Sequence, residues 1–225
     1  MIVSPVNRIP GIRAIPNGLN APRSKSSEQL DFHASSTPPI LDDPFLHRVT
    51  EQGGKIEAFD GKIMLLLPPH AFTGNAQLHI SDSEKIVLPS GNEWKAFSAA
   101  YTVKEQSGQQ LKLPMHLSLT YDPKQLAGVN HLKLGIYRED PQQPGQWKYV
   151  GGKVNAMGAL IETNVIEHGT YAVLLYDPIF IDLINHWSRK NVEVLISRHI
   201  VNGVGKQHFL PERTITRAEI SKLLV

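Results

Sequence analysis

The sequence predicts a mainly β protein with a small α region: an antiparallel β-sandwich followed by a helix-turn-helix-like module. Three observations carry this. Between Gly53 and Tyr176 run roughly nine or ten short apolar segments, several of them alternating, separated by Gly, Pro, Asn and Asp turns. Beyond Phe180 the apolar spacing becomes helical, and Thr216 opens a helix-start signal. The first fifty or so residues carry many of the 16 prolines, with Ser, Asn and Arg between them, and read as a leader or linker. The expected divisions are a flexible leader over 1–50, a sandwich over 51–176 and a helical module over 177–225.

Composition removes several function classes. The hydrophobic share of 41% and the charged share of 20% are those of a globular chain. A net charge of +2 gives no basis for nucleic-acid binding. The absence of Cys excludes disulfides, thiolate metal sites and cysteine nucleophiles. No apolar run near a terminus approaches a membrane span. The opening residues, MIVSPVNRIPGIRAIPNGL, lack a basic stretch followed by an apolar one, so no signal peptide is expected there.

Taken in order, the sandwich begins with Gly53-Gly54 and a segment over Lys55–Phe59. Asp60-Gly61 is a hairpin turn signal, followed by a buried strand over Lys62–Leu67 that Pro68-Pro69 stops. Gln77–Ser81 alternates, Lys85–Leu88 is short, and Trp94–Lys104 alternates through Phe97, Ala99, Tyr101 and Val103. Leu111, Leu113, Met115, Leu117, Leu119 and Tyr121 give the clearest period of two. Leu132–Tyr137, Trp147–Val150, Leu160–Val165 and Thr170–Tyr176 complete the set.

In the C-terminal module a first helix is expected from an Asn185 N-cap through Trp187, Val192, Leu195 and Ile196. A glycine-punctuated turn, Ile200-Val201-Asn202-Gly203-Val204-Gly205, follows, and Phe209 and Pro211 lead extended into a second helix. Thr216 and Glu219 fit a capping box, each satisfying a backbone N–H of the other's residue. Arg217 stands in the first turn, where the helix dipole prefers an acid. It either forms an anion site beside free N–H groups or is solvated or paired with a carboxylate such as Glu212. Trp187 is either core or a flat platform for a sugar ring.

Phe180, Asp182, His186-Trp187, Val192, Leu195, Ile200, Gly203, Gly205, Phe209, Pro211 and Ile215-Thr216-Arg217-Ala218-Glu219 together resemble an S-layer homology module. Ser188, His199 and Ile220 depart from the usual Ala, Gly and aromatic residues. The resemblance implies non-covalent attachment to a secondary cell-wall polysaccharide, often carrying pyruvate ketals, in the envelope of a Gram-positive bacterium. It implies glycan contacts at Trp187 and Arg217, with Gly203 and Gly205 allowing close approach of a sugar and Asp182, Thr216 and Glu219 in capping or structural roles. The family normally uses three modules with grooves between neighbours, so further modules of a parent chain or a homo-oligomer are expected partners. A single, clipped copy is expected to bind poorly by itself, and the chain reads as a piece of a longer exported protein. The opening Gly53-Gly54 through Pro69-His70-Ala71 resembles a ZU5-type sandwich, with His70 where Gly is usual. Trp147–Gly152 with Tyr171–Leu174 is similar to β-domains that precede S-layer modules.

No catalytic residues, metal ligands or cofactors are expected. No G-x-S-x-G, H-E-x-x-H or P-loop occurs, and Gly203-x-Gly205 lacks the strand and third Gly of a dinucleotide site. Some ZU5-type domains cleave themselves at His-Phe-Ser; the comparable His168-Gly169-Thr170 departs from that pattern. The reading is a non-enzymatic surface protein, anchored by its module, with the sandwich as spacer or interaction domain. The alternatives are a carbohydrate-binding or accessory region of a larger secreted glycoside hydrolase, and a ZU5-like protein-interaction scaffold, which could be intracellular.

Overall fold

A computed structural model describes residues 43–205 and 207–223. The expected leader lies outside these as far as residue 42. Its end is not leader: β1 (Leu46–Val49) pairs antiparallel with β4 (Ala76–Ser83), and Phe45 stacks on Phe59 with ring centroids 5.7 Å apart. Leu-His-Arg-Val has no period of two, so nothing local marks it as a strand.

Two sheets of antiparallel strands account for the described β structure. The larger runs β1, β4, β6 (Ala100–Glu105), β12 (Gly169–Tyr176), β8 (Leu134–Glu139), β9 (Trp147–Gly151), with β5 (Trp94–Ala96) also paired to β12. The smaller runs β10 (Lys153–Asn155), β11 (Leu160–Val165), β7 (Met115–Thr120), β3 (Ile63–Leu67), β2 (Gly54–Ala58). Alternating side chains of the two sheets meet in one core, with Leu65, Leu117 and Ile161 against Leu78, Val103 and Val173. β12 is buried on both faces, because Ala172 and Leu174 join a second cluster with Tyr137 and Trp147 on the outer side of the larger sheet.

The Asp60-Gly61 signal forms the expected hairpin between β2 and β3. Both residues have positive φ, +55° and +77°, and the Lys62 N–H reaches the Phe59 carbonyl at 3.1 Å. Gly53 is required: at φ +70° a Cβ there would lie 2.2 Å from the Leu67 carbonyl oxygen.

Four expected strands differ. Lys85–Leu88 is a cover loop, not a strand: Ile86 and Leu88 pack on the outer cluster, and the Val87 carbonyl accepts the Trp147 indole N–H at 2.8 Å. Trp94–Lys104 breaks at Phe97-Ser98-Ala99, where the Ser98 hydroxyl accepts the Val173 N–H at 2.9 Å in place of a ladder bond. The Leu111 run enters a sheet only at Met115, after Pro114, which has no N–H to give. The Leu132 strand starts at Leu134, since His131–Lys133 form a 3-10 turn capped by Asn130.

After β12 come a 3-10 turn (Ile181–Leu183), α1 (Arg189–Ser197) and α2 (Arg217–Leu223). The helix expected from Asn185 begins later, with Ser188 as its N-cap. The Arg189 N–H turns back to the His186 carbonyl, so Trp187 precedes the helix and does not lie on it.

Candidate functional site

The segment from Phe180 to Leu223 is shaped by polar clamps. The Asp182 carboxylate accepts the N–H of Leu210 at 2.7 Å and of Phe209 at 3.0 Å. Desolvation opposes its charge, but these N–H groups outweigh it and hold the carboxyl below its usual range. Asp182 is therefore a strap across the module and not a helix cap; the residue at the N-cap of the 3-10 turn is Phe180.

A second clamp centres on His186. Its Nδ1 contacts the Ser188 hydroxyl at 2.7 Å, and its Nε2 lies 2.7 Å from Glu212 Oε1. This explains Ser188, and it assigns Glu212 to His186, not to Arg217. Trp187 is left 84% exposed, its ring 5.5 Å from that of His186. Core packing for this indole is thereby overturned.

The capping box forms as the sequence predicts. The Glu219 N–H donates to Thr216 Oγ1 at 3.2 Å, and the Thr216 N–H donates to Glu219 Oε2 at 2.8 Å. Arg213 pairs with the other carboxylate oxygen of Glu219. The Thr216 N–H and the Arg213 guanidinium together pull the Glu219 pKa down to about 2. Arg217 is exposed, and no carboxylate pairs with it among the described residues.

The two glycines separate. A Cβ on Gly203 would lie 2.2 Å from the Phe180 ring and 2.8 Å from the His208 carbonyl oxygen. Its small size is required inside the module, where Phe180 and His208 leave no room for a side chain. Gly205 faces open space, with nothing within 4 Å of an added Cβ. Trp187 and Arg217 are joined through the chain of contacts His186–Glu212, then Arg213–Glu219 on α2. No local spacing encodes the contacts of His186, Glu212 and Arg213, which span 6 to 26 positions. An open cavity of about 460 Å³ lies beside them, lined by Ile200, Val204, Leu210, Ile215 and Leu223 with Arg213 on its rim.

Among the described residues no group of His, Asp or Glu could hold a metal ion, and no helix is long and apolar enough to cross a membrane. The Thr170 hydroxyl is engaged by Thr102 at 2.9 Å, and His168 stacks on Phe72 with centroids 5.9 Å apart.

Residues 180–220 match the S-layer homology domain family, whose domains are non-catalytic anchoring modules that bind cell-wall polysaccharide. A stretch of 115 residues, 51% of this chain, is 34% identical to an amylopullulanase of Thermoanaerobacterium thermosulfurigenes and covers 6% of it. Shorter stretches match endo-1,4-beta-xylanase A of Thermoanaerobacterium saccharolyticum (41% identical, 20% of this chain, 4% of that protein) and exoglucanase XynX of Acetivibrio thermocellus (38%, 24% and 5%). The chain thus spans only a small part of the length of these relatives. The amylopullulanase alignment is longer than the 41-residue family match and takes in sandwich residues as well.

Proposed function

We propose that this chain is an anchoring region of a cell-surface protein of a Gram-positive bacterium, held non-covalently on secondary cell-wall polysaccharide. The observation that carries the reading is the S-layer homology match over residues 180–220. In support, the indole of Trp187 and the guanidinium of Arg217 are both exposed on that segment. Trp187 offers a flat apolar face to a pyranose ring. Arg217 offers a bidentate donor to a carboxylate, such as that of a pyruvate ketal. Gly205 lies open where a sugar could approach the backbone. Residues 51–176, with β1 added at their start, serve as a ZU5-like spacer or interaction domain; His70, standing where that family has Gly, adopts φ +62°. Further modules, in a parent chain or a second copy, would raise avidity without new contacts.

A second reading, compatible with the first, makes this an accessory region of a larger secreted glycoside hydrolase. It is favoured by the similarity to an amylopullulanase, a xylanase and an exoglucanase and by an amylopullulanase alignment longer than the family match. Both readings are tested by co-sedimentation with purified Gram-positive walls, before and after the secondary polysaccharide is stripped. Binding should need the polysaccharide and weaken about tenfold or more in Arg217→Ala and Trp187→Ala, the scale of one lost charge-assisted or stacking contact. Binding that survives both stripping and substitution would overturn the assignment of the site to the module. A soluble-glycan screen on the same protein separates the second reading, which expects the sandwich to bind.

A further inference from the structure

His199 ends α1 in a left-handed conformation, φ +55°, at a place where Gly is the usual choice. The reason lies outside the module. Its ring lies flat against Tyr176, with centroids 4.9 Å apart and planes 12° apart, and stacks near Trp94 at 6.1 Å. Tyr137 meets it edge-on at 5.7 Å, and Tyr149 lies at 6.0 Å. All four aromatic residues belong to the larger sheet: Trp94 on β5, Tyr137 on β8, Tyr149 on β9 and Tyr176 on β12. The fully buried Tyr137 hydroxyl donates to the Ser197 carbonyl at 2.9 Å, and His199 Nε2 lies 3.1 Å from the Tyr137 hydroxyl oxygen. Both contacts are satisfied when Nε2–H of His199 donates to the hydroxyl oxygen.

A second set of contacts holds the other side of α1. Lys133, 7% exposed, places Nζ 2.5 Å from Asp177 and 3.1 Å from Glu193 of α1. Arg198 donates to the Leu132 carbonyl at 3.1 Å. Among the described residues the module's buried apolar cluster is Phe180, Leu183 and Ile196, with Val192, Val201 and Phe209 partly buried against it, a small core in a sequence with no Cys for a disulfide.

From these contacts we infer that the sandwich is the folding partner of the module. The aromatic box on the outer face of the larger sheet receives the end of α1, Lys133 clips its middle, and the module draws part of its support from the sandwich of its own chain. The segment Asp177–Ile179 is then no free hinge. Trp187 and Arg217 are presented in a fixed orientation to the sandwich, and substitutions in the sandwich control the order of the module. This goes beyond the wall-anchoring reading and does not depend on it.

The test is amide hydrogen exchange by mass spectrometry on the full chain, with no wall material present. His199→Gly removes the ring but suits φ +55°, so the helix end itself is not strained. Protection over 192–200 should fall about tenfold or more in His199→Gly and in Lys133→Met, and by a smaller factor in Tyr137→Phe, which loses only the hydroxyl. β3 and β7 should keep their protection in Tyr137→Phe, showing that the sandwich is intact. If His199→Gly leaves α1 protected as in the parent chain, or protects it better as an improved C-cap, the module stands alone and the inference is overturned. Unchanged protection in both Lys133→Met and Tyr137→Phe would overturn it equally.

Discussion

The sandwich and the module are stabilised in different ways. In the sandwich, Leu65, Leu117, Leu119, Val103 and Val173 are fully covered by side chains of the facing sheet. In the module, Ile200, Val204, Ile215, Ile220 and Leu223 remain 43–50% exposed, and its local geometry comes from carboxylates. Asp182 straps Phe209 and Leu210, Glu212 holds His186, and Glu219 gathers Thr216 and Arg213. Apolar burial acts over many contacts and tolerates small shifts of each, whereas a carboxylate strap fixes one place and is lost with one residue. The sandwich is therefore expected to be the stable body and the module the part whose order can be tuned.

The largest effect should come from the sandwich core. Leu117→Ala, on central β7, is expected to cost about 2–5 kcal/mol and to lower the urea midpoint of every probe in both regions. If fluorescence of the sandwich moved while α1 helicity stayed, the module would be independent and the contrast would have to be redrawn. The next effect lies at the junction. Lys133→Met removes the cation that Asp177 and Glu193 share and leaves Glu193 with Arg189. Those carboxylates are partly exposed, so the cost should be about 1–2 kcal/mol, below that of a fully buried pair. Raised salt should shrink the difference between variant and parent in urea unfolding by screening the two anions. A third, more local effect is expected from Thr216→Ala, about 1 kcal/mol of stability in α2, read as lost helical signal with the midpoint of the sandwich unchanged.

The same contrast explains what was legible in the sequence. Period-two runs such as Met115–Thr120 announce strands because each residue's partner face is set by its immediate neighbours. The Asp60-Gly61 turn and the Thr216–Glu219 box are equally local and form as their spacing predicts. Features whose cause is distant could not be read. β1 exists because β4 offers it a ladder, β10 is three residues long at a sheet edge, and Lys85–Leu88 leaves the sheets to cover Trp147. Asn185 is a good N-cap by type, yet the His186–Ser188–Glu212 clamp moves the helix start to Ser188. Gly203 is a glycine because Phe180, 23 positions away, fills the space a side chain would need. His199, a departure from Gly by the module's own pattern, has its reason on the sandwich at Tyr137.

The smallest expected effect sharpens the comparison at that residue. Burial of the His199 ring among Tyr137, Tyr176 and Trp94 pushes its pKa below the usual 6.5. The folded state thus binds fewer protons than the unfolded one in the window just below that value. Stability from this group is complete above pH 6.5 and is lost as pH falls through the unfolded value toward the folded one. The residue keeps an exposed side, and the aromatic faces attract an imidazolium, so both solvent screening and cation–π attraction oppose the penalty. The loss between pH 7.5 and 5.5 should therefore stay below about 0.5 kcal/mol. His199→Asn tolerates left-handed geometry and does not titrate, so it isolates the proton from the backbone. Urea midpoints of the two proteins should converge as pH falls from 7.5 to 5.5. Divergence in that range would mean that the protonated ring is held by the box more tightly than the neutral one, and that acid locks the module to the sandwich.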